Sequence, residues 1–237
     1  MLKRLLNINI SKTMNVPIQV GISENDHYHC IVYIHEGSIV NFWRDKSKSL
    51  ASILVDIQNN EPLLKSKKLT IIRPVSHHYI WRKYVFLPYH YSDAMCYKKI
   101  IEILKTELPV SLDDVFFDYY LERNKSTSAI RIIIYALRKE FSKSLLTNKR
   151  TILDCELYCY LRAFHYLSTF PYDMVHKNYY KFRNYIIQFQ LDKLLIQENN
   201  DALNVLTIEH INNKFKHILD TDIYLLALGA CLWNGKV

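Results

Sequence analysis

Glycine is scarce in this chain, with only Gly21, Gly37, Gly229 and Gly235 among 237 residues. Loops that wrap phosphates use glycine for positive φ and for close approach of backbone to ligand, so the scarcity argues against an elaborate nucleotide cradle. A disulfide framework is also lacking. The five cysteines are odd in number and scattered, which fits a reduced compartment. Cys155 and Cys159 stand four apart on an expected helix and read as buried core residues in preference to a metal or redox pair. His27 with His29, and His77 with His78, have no carboxylate or cysteine at zinc-site spacing, so no metal is expected. No apolar run is long enough to span a bilayer, and Asn7 and Asn9 break the short apolar part of MLKRLLNINI. That segment reads as neither signal peptide nor anchor; a loose tail, an extra edge strand and a basic amphipathic foot all remain open.

Basic charge, tyrosine and apolar periodicity are what the chain does contain. A net charge of +8 favours anionic surroundings such as lipid headgroups, nucleic acid or an acidic partner, and selects none of them. The length predicts one domain with lobes. Ile18–Ile22, His29–Ile34 and Ile39–Trp43 read as a three-strand meander, with turns at Ser23–Asp26 and Gly37. A helix over Leu50–Asn59 turns Ile53, Leu54 and Ile57 inward, and the strand Leu69–Arg73 follows. Ser92 caps a helix running to Glu107, where Ala94, Tyr97, Ile101, Leu104 and Leu108 make one apolar stripe. Val115–Leu121 and Ala129–Ala136 form a hairpin, with Ile130, Ile132 and Ile134 on one face and Arg131, Ile133 and Tyr135 on the other. A helix over Leu137–Leu146, a short strand Thr151–Leu153 and a helix opened by Asp154 come next. Later elements are a strand or helix pair around Tyr179–Phe189, a polar turn at Glu198–Asp201, a helix Ile208–Leu219 and a final helix.

Certain residues in this order resemble a known family. They are Pro74-Val-Ser76, Arg82-Lys83 leading to Leu87-Pro88, Leu108-Pro109 with Leu112-Asp113, Asp118-Tyr119, Tyr135-Ala-Leu-Arg-Lys-Glu140, Leu153-Asp-Cys-Glu156 with Arg162-Ala163, and Leu225-Leu-Ala-Leu-Gly-Ala230. The sequence is similar to the PilM-like family of type IV pilus assembly proteins, above all to its short HofM and competence-protein ComA relatives. The resemblance implies an α/β fold of actin-like (ribonuclease H-like) lobes with a small inserted α+β subdomain and a shortened second lobe. The implied organisation is a tail over 1–15, a first lobe over 16–91, an inserted subdomain over 92–150, and the remaining lobe with the closing helix over 151–237. It further implies a cytoplasmic scaffold at the inner face of the bacterial inner membrane, for a type IV pilus or a competence (DNA-uptake) pilus. Such a scaffold binds the N-terminal cytoplasmic tail of a PilN/HofN-like inner-membrane protein. Phe116, Tyr119, Ile133 and Tyr135 would line the groove for that tail, although each is equally readable as ordinary packing. Strand addition suits the task, because main-chain hydrogen bonds supply affinity and pockets supply selectivity.

Catalysis is not expected. Where the family's nucleotide-binding members carry an acidic, glycine-bearing hairpin, this chain has Gly21-Ile22-Ser23-Glu24-Asn25, and PYDMVHKNYYKFRNYII has no glycine for a second one. No cofactor is therefore expected; Glu24 or Asp26 could in principle substitute for the missing aspartate, and retained ATP binding stays open as an alternative. Asp113, Asp114 and Asp118 with Lys139 could be read as a nuclease-like metal site, but the resemblance accounts for Asp113 and Asp118 without a metal. The strip HKNYYKFRNY alternates basic and aromatic residues, as a nucleic-acid surface would, or as a solvated face beside a core stripe of Tyr179, Phe182, Ile186 and Phe189. A peripheral contact with anionic lipid is the other use for such charge.

Overall fold

The computed structural model describes residues 17–65, 67–124, 128–168, 177–190, 192–198, 205–207 and 218–235. The expected tail 1–15, the turn beyond Glu198 and the helix from Ile208, apart from Ile218 and Leu219, lie outside these residues.

The chain opens as the meander β1 (Ile18–Glu24), β2 (Tyr28–His35) and β3 (Ser38–Asp45), followed by α1 (Leu50–Asn60) and β4 (Leu69–Val75). Glu36 and Gly37 both take positive φ, the geometry a tight β2–β3 hairpin turn demands. Later in the chain β8 (Thr151–Cys155) adds to the same sheet, in the order β3-β2-β1-β4-β8, with β4 and β8 parallel to β1. Alternation along the strands divides the core in two. Val20, Ile22, Ile31, Tyr33 and Ile71 meet Ile53, Leu54 and Ile57 of α1 on one face. Cys30, Val32 and Ile72 meet α4 (Glu156–Leu167) and α5 (Thr221–Cys231) on the other. Both faces are covered, so the strands read as nearly unbroken apolar runs.

Two glycines are placed by backbone contact. A Cβ on Gly229 would stand 1.6 Å from the carbonyl oxygen of Cys159 where α5 crosses α4, and one on Gly21 would stand 1.9 Å from that of Ala227 where α5 lies on β1. Half of the chain's glycine thus serves close packing of the closing helix. Beyond α4, β9 (Tyr179–Phe182), β10 (Tyr185–Phe189), β11 (Leu194–Glu198) and β12 (Val205–Leu206) form a second sheet in the order β11-β10-β9-β12. Tyr180, Phe182 and Ile187 from that sheet enter the same core as α4 and α5.

A third sheet is inserted between β4 and β8. β5 (Ile80–Pro88), β6 (Val115–Asn124) and β7 (Ala129–Arg138) pair antiparallel in the order β5-β7-β6, and α2 (Asp93–Glu107) covers one face. β5 was expected in the first lobe, ahead of a boundary at residue 92; it pairs with β7 along its whole length, from Ile80↔Leu137 to Pro88↔Ala129, and so belongs to the insert.

Three further expectations are corrected. The buried stripe of α2 is Cys96, Ile100 and Leu104, whereas Ala94 and Tyr97 are exposed, because the small sheet meets the helix about one residue round from the stripe read in sequence. The helix expected over Leu137–Leu146 is reduced to α3 (Lys139–Ser142), since pairing with both neighbours holds β7 extended as far as Arg138. Asp154 lies within β8, which runs to Cys155, in place of opening a helix, and α4 begins at Glu156.

Candidate functional site

β8 is an edge strand among the described residues, paired with β4 on one side only. A cavity of about 340 Å³ opens between it and the face of β6 and β7 turned away from α2. That volume falls within the range of ligand sites, about 300–1,000 Å³. Thr151 to Cys155 of β8, Phe116 and Asp118 of β6, Tyr135 and Leu137 of β7, Tyr158 of α4 and Trp233 after α5 line it. The main-chain oxygen of Trp233 accepts a hydrogen bond from Gln19 Nε2 at 2.6 Å, which ties this corner to the start of β1.

Strand parity separates the four residues proposed from the sequence. Phe116 pairs with Leu137, Asp118 with Tyr135 and Tyr120 with Ile133, so these side chains share the groove face, while Tyr119 pairs with Ile134 on the opposite face. Tyr119 accordingly packs toward α2, its ring 6.3 Å from that of Tyr97. Ile133 shares the groove face but is buried and outside the cavity lining. The groove therefore brings together Phe116 and Tyr135 of the four. Phe116 is 45% exposed, with the Lys139 ammonium 5.4 Å from its ring centroid. The Tyr135 hydroxyl lies 3.1 Å from that of Tyr158, and burial pushes both phenols above the ordinary tyrosine range. The strand at Thr151–Leu153 was expected, but its edge position beside the groove was missed by sequence reasoning, as were Tyr158 and Trp233, since a short strand reveals its edge position only through distant partners.

A second cavity, of about 450 Å³, lies at the ends of β1 and β4, where a nucleotide was considered. Its lining includes Ser23, Glu24, Arg73, Ser76, Glu156 and Arg183. Glu24 is engaged by Arg73 at 2.9 Å, His29 Nδ1 at 2.9 Å and Lys46 at 3.6 Å. Asn25 donates to Asp220 at 2.8 Å, joining the β1–β2 turn to the residue that caps α5. The buried Glu156 carboxylate accepts from the Ser76 hydroxyl and the His77 amide, both at 2.9 Å, and meets His77 Nδ1 at 2.7 Å and Arg183 at 3.4 Å. Among the described residues no helix is long and apolar enough to cross a membrane.

No protein-family model and no curated protein matches this sequence. Solved structures do. One is a PilM-PilN type IV pilus biogenesis complex, similar with a TM-score of 0.52 at 12% identity over 78% of this chain. The likeness spans only 61% of that chain. Weaker similarities are to a protein of unknown function with an actin-like ATPase fold from Bacteroides thetaiotaomicron (TM-score 0.36, 11% identity, 81% of this chain and 74% of that one) and to the cytoplasmic domain of EpsL, an inner-membrane component of the type II secretion system of Vibrio cholerae (TM-score 0.45, 7% identity, 80% and 79%). Identities this low speak to fold alone. The chain has an actin-like α/β fold, with a small three-stranded sheet and its helix inserted between β4 and β8.

Proposed function

We propose that this chain is a non-enzymatic scaffold for assembly of a type IV pilus or a competence (DNA-uptake) pilus, working at the cytoplasmic face of the bacterial inner membrane. Its partner in this reading is a PilN/HofN-like inner-membrane protein, whose N-terminal cytoplasmic tail lies as an extended segment along β8. The observation that carries the reading is the edge of β8, unpaired among the described residues, beside a largely apolar groove. Backbone groups of the edge offer hydrogen bonds to an added strand, and the cavity between Phe116, Tyr135 and Trp233 takes alternate side chains. The likeness to a PilM-PilN complex supports the same partner class.

The absence of catalysis in this proposal is supported by the second cavity. Glu24, one of two substitutes for the missing aspartate, is already held by Arg73, and Asn25 is committed to Asp220. A carboxylate neutralised by a buried guanidinium is a poor organiser of magnesium.

Calorimetric titration with a synthetic peptide of the N-terminal tail of the membrane protein encoded beside this chain tests the proposal. Micromolar binding with little salt dependence is expected, abolished by Phe116→Asp. Silence toward the peptide, with binding of Mg-ATP or of a single-stranded oligonucleotide that weakens steeply with salt, would overturn it.

A further inference from the structure

Arg82 has no role in the groove as described, yet it lies one side-chain layer behind it. It pairs with Tyr135 across β5 and β7, so the two side chains leave the sheet on the same face. The guanidinium carbon lies 5.5 Å from the Tyr135 ring centroid and 5.8 Å from that of Tyr158, and Nη2 donates to Cys155 Sγ at 3.4 Å. Tyr135, Tyr158 and Cys155 are also groove-lining residues.

Among the described residues no carboxylate is paired with this cation. The groups acting on it electrostatically are the Cys155 thiol and the phenols of Tyr158, Tyr135 and Tyr84. Burial raises the pKa of all four, so at neutral pH none supplies negative charge. The buried Nε–H of Arg82, like those of Arg73 and Arg131, has no hydrogen-bond partner among the described residues, so what sets Arg82 apart is the missing carboxylate. Two other arginines show the contrast: buried Arg73 meets Glu24 at 2.9 Å, and buried Arg162 is paired with Asp154. A guanidinium carries five donors in a planar fork suited to a carboxylate, and a thiol with two ring faces is a poor substitute. Cation–π contacts make the site tolerable when empty, without satisfying it.

We propose that the groove recognises an acidic side chain, aspartate or glutamate, in the peptide it takes up, and that Arg82 is the residue that reads it. This rests on the groove being the partner site. The peptide's main chain adds to β8 while its carboxylate, displacing the Tyr135–Tyr158 hydroxyl contact, receives the Arg82 Nε–H and a phenolic hydrogen bond. Desolvation there makes the pairing selective, because an amide in place of the acid leaves the guanidinium without its counter-charge.

The experiment pans a phage-displayed octapeptide library on the full chain and measures the best peptide, with its acid-to-amide counterpart, by fluorescence polarisation against wild type, Arg82→Met and Arg82→Lys. Wild type is expected to select one fixed acidic position among apolar residues and to lose about tenfold or more in affinity for the amide peptide. Arg82→Met should bind both peptides alike while keeping its thermal transition, and Arg82→Lys should discriminate less than wild type. Should Arg82→Met not fold, the wild-type comparison alone decides. Peptides that are displaced by Phe116→Asp but show no fixed acid, or equal affinity for acid and amide, would overturn the role of Arg82 and leave the groove standing. Failure to select any peptide sensitive to Phe116→Asp would overturn both.

Discussion

His29 is 5% exposed and faces Glu24, Lys46 and Arg73 from three different strands and turns. Burial is the largest influence on it and lowers its pKa, with Lys46 and Arg73 acting in the same direction and Glu24 opposing them. A folded pKa below the ordinary 6.5 means that the unfolded chain binds a proton which the folded chain refuses. The contribution of His29 to stability is therefore complete above that value and is lost as pH falls through the unfolded pKa toward the folded one. Urea unfolding midpoints between pH 7.5 and 5.5 should decline, with a slope from this one proton of at most about 1.4 kcal/mol per pH unit. His29→Gln, which cannot take the proton, should flatten that part of the profile. An unchanged slope in the variant would show that another group carries it. Asp222, whose pKa is raised chiefly by burial, acts in the opposite sense.

At the scale of elements, the helix α2 offers a direct comparison between two readings of one sequence. Cys96, Ile100 and Leu104 are buried, while Tyr97 is 46% exposed. Leu104→Ala should cost about 2–5 kcal/mol by leaving a cavity against Ile132 and Ile134, whereas Tyr97→Ala should cost under about 1 kcal/mol. Equal losses in chemical denaturation would mean that the helix lies on its other face. The Ser92 cap was legible because it is local: its hydroxyl accepts from the Met95 amide, as a residue ahead of an apolar run predicts, and Ser49 accepts from the Ser52 amide in the same way. The facing of α2 was not, because two stripes one residue apart share Leu104 and only the sheet selects between them. Tyr179, Phe182, Ile186 and Phe189 also fit helical spacing, yet Arg183 takes positive φ and the segment folds as the hairpin β9–β10. At the groove, Phe116 and Tyr135 came from the hairpin to which the resemblance points, and register places both at the cavity. Tyr119 was not compatible with Phe116, since residues three apart in one strand always point to opposite faces.

For the whole molecule, the decisive feature is how the cores are divided. Strands of the first sheet, α4, α5, and β9 and β10 contribute to one continuous cluster, so the two lobes share a core. The insert keeps a separate cluster around Cys96, Ile100, Leu104, Ile130, Ile132 and Ile134. Between the insert and the body lies the groove, whose lining includes Asp118, Asp154 and the phenols of Tyr135 and Tyr158, with the Arg82 guanidinium behind those rings. A unit with its own small core and a partly polar seam opens at lower free energy than the body to which it is attached. Native-state hydrogen exchange in rising denaturant should therefore show the amides of α2 and β6 exchanging through a partial opening, while those of β1, α4 and α5 wait for global unfolding. One common free energy for all of them would refute the division. A ligand bound across the seam favours the closed state over the open one, so a groove-binding peptide should raise protection by RT ln(1 + [L]/Kd) in β6, which lines the groove, and equally in α2, which does not. Protection confined to β8 and its contacts would place the ligand on the edge strand alone and leave the insert out of recognition.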